Sequence, residues 1–192
     1  MSDSDVFIIS AVSNIDSAQA IQQAINNAGI NSIRVQDVIF GLESGRFLPY
    51  HEPRSIDIEK IISASNLTCS AATVSSSLRA TFFAAQSILS LDLDVVIVIG
   101  IESDSSTALL LASPDAVGRW NLLPRARLAA RSLNGIGSAL RTAELESKDV
   151  TIVKDGKYSS LLIKELLDEL EGQSARWGMV TMNELALLIE RI

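Results

Sequence analysis

Apolar positions fall along the chain in two rhythms. Val6-Phe7-Ile8-Ile9-Ser10-Ala11-Val12 is an almost unbroken apolar run of strand length, as strands covered on both faces are. The period then changes. Ala18, Ile21, Ile25 and Ala28 recur at steps of three and four, which makes one stripe of a helix. Asn14 or Asp16 can cap its start and Gly29 supplies the stop. Val35 to Gly41 reads as a second strand, and strand–helix–strand is the opening of a parallel sheet with a right-handed crossover.

Leu42 to Arg54 contains Gly45, Pro49 and Pro53 and reads as a loop. Ile56 to Ala64 predicts a short helix and Thr68 to Val74 a strand. From Ser75 to Ser90 the chain is strongly helical, with Leu78, Phe82, Ala85 and Leu89 on one face and Ala80, Phe83, Ala84 and Ile88 on others. Arg79 is the only charge in that stretch, so the pattern predicts a helix buried nearly all round, through the middle of the domain. Val95 to Ile101 is another buried strand, and Thr107 to Ala112 another. Pro114 to Trp120 reads as a short helix or turn, and Arg125 to Leu133 as an alternating strand. Beyond Asn134-Gly135 the pattern predicts a short strand over Thr151 to Val153 and a turn at Asp155-Gly156. An amphipathic helix follows from Lys157 to Leu170, and a terminal helix from Asn183 to Ile192. No internal repeat stands out. The expected organisation is an α/β domain over residues 1–134 and a reduced C-terminal extension, residues 135–192, packed on it.

Composition narrows the function classes. Of 192 residues, 47% are hydrophobic and 20% charged, which suits a sheet covered on both faces or a sizeable subunit interface. The net charge of −7 and the absence of a Lys/Arg run argue against nucleic acid as a partner. No apolar stretch is long enough to span a bilayer, and the acidic Met-Ser-Asp-Ser-Asp start is unlike a signal peptide. One cysteine allows no internal disulfide and suits a reducing compartment, so the cytoplasm is the expected location. One His and one Cys do not make a standard transition-metal site, and no cofactor motif is present, so neither metal nor cofactor is expected.

The order of elements and four local matches resemble the thiolase superfamily. Val6 to Val12 is similar to that family's first strand, and Gln36-Asp37-Val38-Ile39-Phe40-Gly41 resembles its second. Ser75-Ser76-Ser77-Leu78-Arg79-Ala80, with Ala84-Ala85-Gln86-Ser87-Ile88, looks like its nucleophile helix. Asp94 to Gly100 with Glu102-Ser103 resembles the following strand and its Gly-Gly-x-Glu-Ser turn. Asp104 to Leu111, then Pro124-Arg125-Ala126-Arg127, is similar to two later strands, although the family's loop domain is missing here, since Glu102 runs almost straight into the first of them. Met182-Asn183-Glu184-Leu185-Ala186 resembles an Asn-Glu-Ala-Phe motif, while the Gly-His-Pro and Cys-x-Gly segments are absent. The resemblance implies a layered α/β fold: a mixed five-stranded sheet with helices on both faces, one buried central helix and a small helical C-terminal part. Most of the family's C-terminal half would be missing.

It also implies a site, and the site is incomplete. A thiolase nucleophile is a cysteine at the start of the buried helix, where free N–H groups and the helix dipole stabilise the thiolate. Aligning Gln86 with the family's glutamine puts Val74 at that position, a side chain with no lone pair, and puts Ser77 where the family has glycine. Cys69 lies five residues upstream, so on a regular strand it points to the opposite face. A one-residue bulge would change that parity; otherwise it is a small buried hydrophobe. Ser75 and Ser76 are expected to cap the helix, since a nucleophilic role needs a base, and the only histidine, His51, lies in the Pro-rich loop. The Ser75-Ser76-Ser77 helix start can serve as a small-anion site. Asn183 and Glu184 are the remaining site candidates.

The expected function is therefore that of a non-catalytic thiolase-like protein acting through assembly. The resemblance implies a homodimer through the strand Thr68 to Val74, or pairing with a thiolase or ketosynthase-like subunit. The alternative is an acyltransferase, or an acyl-CoA or thioester-binding protein, with a non-standard site.

Overall fold

The structure is a computed structural model that describes residues 5–42, 56–90, 93–102, 105–156 and 159–192. The chain opens with β1 (Val6–Asn14), α1 (Ser17–Ala28), a 3-10 turn (Ser32–Arg34) and β2 (Asp37–Leu42). α2 (Ile58–Ala64), β3 (Ser70–Val74), α3 (Ser77–Ser90), β4 (Val95–Ile101) and β5 (Ser106–Ala112) follow. After α4 (Pro114–Trp120) come β6 (Ala126–Ser132), α5 (Ile136–Thr142), a second 3-10 turn (Ser147–Asp149), β7 (Ile152–Asp155), α6 (Ser159–Gly172), β8 (Trp177–Met182) and β9 (Leu185–Arg191).

Local chemistry sets these boundaries. The Asp16 side chain accepts from the Gln19 amide at 2.8 Å and so caps α1, which ends at Gly29 in the left-handed region at φ +68°. Ser113 caps α4 by accepting from the Ala116 amide. β4 and β5 are apolar at nearly every position because both of their faces are covered.

Among the described residues the strands form one nine-stranded sheet in the order β3-β2-β4-β5-β1-β6-β9-β8-β7. Five strands were expected. The other four are β6 to β9, joined to the first five by a short antiparallel contact that pairs Val6 with Leu128, Phe7 with Arg127 and Ile8 with Ala126. Arg127 reinforces that joint by bonding Asp5 on one side, at 3.0 Å, and Glu190 on the other.

The two parts of the sheet repeat one architecture. β1, α1, the first 3-10 turn, β2, α3, β4 and β5 correspond in order to β6, α5, the second 3-10 turn, β7, α6, β8 and β9. α3 and α6 have 14 residues each, and β5 and β9 have 7 each. Both leading strands shift register at the same place, β1 between Ile8 and Ser10 and β6 between Leu128 and Ala130. β2 lies parallel to β4 as β7 does to β8. Among the described residues the second half is thus present in shortened form, without counterparts of α2 and β3.

Packing builds five layers. α1, α2 and α4 cover the outer face of the first half, through Ile21, Ile25, Ile61 and Ala116 against Phe40, Ile97 and Leu110. Leu78, Ala84 and Ile88 of α3 share one central cluster with Ile163, Leu166 and Leu170 of α6. That cluster takes in Val96, Val98 and Leu109 from one half of the sheet and Val180, Leu187 and Ile189 from the other. Ala139 and Leu140 of α5 close the far side against Met179 and Leu188.

Two expectations change here. Residues 183–192 form β9, not a terminal helix: Leu185, Leu187 and Ile189 face the central cluster while Ala186 and Leu188 face α5. The C-terminal part therefore adds three strands to its helices, because an apolar run covered on two faces suits a strand as well as a helix. α3, expected to be buried nearly all round, stands at the centre and keeps one open stripe, wider than expected, at Arg79, Phe83, Gln86 and Ser90.

Candidate functional site

The central layer brings two helix starts together. β3 ends at Val74, whose side chain is half-buried against the central cluster. Ser75 is exposed, and its Oγ accepts from Arg79 Nη1 at 3.1 Å. Ser76 is buried and its Oγ accepts from the Arg79 amide at 3.2 Å, which makes it the cap of α3. Ser77 is fully buried, and its Oγ accepts from the backbone amide of Ser160 at 2.8 Å. A serine from the first half thus satisfies an amide at the start of the second half's long helix.

Two glycines make the approach possible. A Cβ on Gly41 of β2 would overlap the backbone of Ser76 and Ser77, so only glycine lets α3 begin so close to the strand. A Cβ on Gly100 of β4 would stand 2.5 Å from Ser160 Oγ and 3.0 Å from Ser77 Cβ. The two helix starts are in direct contact through the Ser160 amide and Ser77 Oγ. Ser160 is fully buried, and its Oγ has no hydrogen-bond partner among the described residues.

The remaining candidates lie elsewhere. Cys69 is half-buried against the outer cluster, on the other side of the sheet from Val74. Burial pushes its thiol up, a backbone hydrogen bond offsets part of this, and the Asp37 charge adds to it. Such a thiol has less thiolate at neutral pH than a free one, the reverse of an activated nucleophile. Asn183 and Glu184 form the exposed turn between β8 and β9, with Asn183 at φ 55° and the Glu184 carbonyl accepting from the Gly135 amide at 2.5 Å. His51 lies outside the described residues. Among the described residues no group of three or more His, Cys, Asp or Glu side chains could hold a metal ion. No described helix is long and apolar enough to cross a membrane.

Gly41, Gly100 and Ser160 are the site positions that local patterning misses. Only the serine pair at the start of each long helix, Ser76-Ser77 and Ser159-Ser160, hints at them.

Comparison with solved structures places the architecture. Human mitochondrial 3-ketoacyl-CoA thiolase in complex with CoA matches with a TM-score of 0.80 at 11% identity, over 98% of this chain and 98% of that one. The fold is thiolase-like. A second structure of human mitochondrial 3-ketoacyl-CoA thiolase matches with a TM-score of 0.77, also at 11% identity, over 97% and 98%. No protein-family model and no curated protein matches the sequence. Within the thiolase-like frame, α3 and α6 are the paired central helices, and Val74, Ser76, Ser77 and Ser160 stand where their starts meet.

Proposed function

We propose that this chain is a non-catalytic thiolase-like protein that acts by assembly, pairing with a second copy of itself through β3 and working in the cytoplasm. The observation that carries this reading is the end of the sheet. β3 has β2 as its one strand neighbour among the described residues, and Ser70, Ala71, Ala72 and Thr73 are exposed. An unpaired strand edge is a template for another strand, and small uncharged side chains do nothing to blunt it. Beside it runs the open stripe of α3, where Phe83 is 47% exposed. Antiparallel pairing of two β3 strands about a two-fold axis would cover both features and close the assembly at two.

The opposite end of the sheet is built differently. β7 has only four residues; its Val153 is exposed, but Asp155 is exposed beside it and Lys154 pairs with Glu169 of α6. The open side of α6 carries Glu165, Asp168 and Glu171. That end resembles a solvated edge, so one interface per chain is favoured.

Lack of catalysis is supported by the hydrocarbon side chain of Val74 at the start of α3, by a raised Cys69 thiol on the far side of the sheet, and by serine hydroxyls engaged in capping. Light scattering of the wild type should give a dimer mass, and Ala72→Glu with Phe83→Glu should give a folded monomer. A wild-type monomer at high micromolar concentration would exclude self-pairing, and a mass of two different chains from cells would favour a thiolase or ketosynthase-like partner.

A second reading, binding of an acyl thioester at the helix starts, is favoured by the buried hydroxyl of Ser160, which has no hydrogen-bond partner among the described residues. Incubation with acetyl-CoA, acetoacetyl-CoA and free CoA separates the two. Thiol release or a calorimetric binding signal supports the second reading, and silence supports the first.

A further inference from the structure

No further inference is drawn: the strongest candidate, the buried pair Ser77 and Ser160 packed against Gly100 between the starts of α3 and α6, with the Ser160 hydroxyl left without a partner, belongs to the candidate site already described.

Discussion

Two serines at the molecule's centre carry opposite energetic roles. Ser77 Oγ accepts from a buried amide, so Ser77→Ala leaves the Ser160 N–H without its acceptor. The expected loss is about 1–3 kcal/mol, and thermal unfolding should shift down by about 2–4 °C for each kcal/mol. Among the described residues Ser160 Oγ has no hydrogen-bond partner to lose, so Ser160→Ala should be neutral or slightly stabilising. A loss as large as that of Ser77→Ala would show that the hydroxyl is engaged. Gly41→Ala is the severe change at this scale. The added methyl meets backbone rather than a flexible side chain, so the cost should exceed the about 1–3 kcal/mol usual for overpacking. None of this was legible in the sequence, because the Ser77–Ser160 contact joins residues 83 apart and no local period encodes it. The displacement of Cys69 from Val74 was legible, since five residues along a strand is an odd number and reverses the face.

At the level of elements, hydrophobic period worked where one face or both faces were clearly apolar. β1, α1, β4 and the amphipathic α6 follow from it, and the charge-poor α3 stands at the centre with only a stripe open. It failed for β9, where five consecutive apolar residues fit either rhythm, and for α5, whose seven residues include Gly137 and are too short for a stripe to show. The docking of α6 makes an acid-dependent prediction. Burial pushes the Asp168 carboxyl up, but hydrogen bonds from Lys164, at 2.7 Å, and Arg125, at 3.0 Å, outweigh it and hold the group below its ordinary value. A carboxylate depressed in the folded state stabilises above its unfolded value, near 4, and loses that contribution as pH falls through the folded one. Unfolding temperature should therefore decline below about pH 4, and Asp168→Asn should flatten that decline. The side chain is half-exposed, so the effect is small, and an unchanged acid limb in the variant would show that Arg125 holds α6 through Glu171 alone.

The whole molecule is a repeated half joined at β1 and β6, with strand order running outward from the joint as β1-β5-β4-β2 on one side and β6-β9-β8-β7 on the other. Sequence reading found the first half and treated the second as an appendage, because the two halves share element order and bulge position but, beyond a serine pair at each long helix, no visible residue pattern. What differs between them is β3, which extends the first half and ends in a neutral, exposed edge. The proposed self-association rests on that difference. Hydrogen exchange of the backbone amides, followed across a dilution series, reads it directly. In concentrated solution β3 should be protected and should lose that protection on dilution, while β7 exchanges alike at every concentration. Equal, concentration-independent exchange at both edges would contradict assembly through β3.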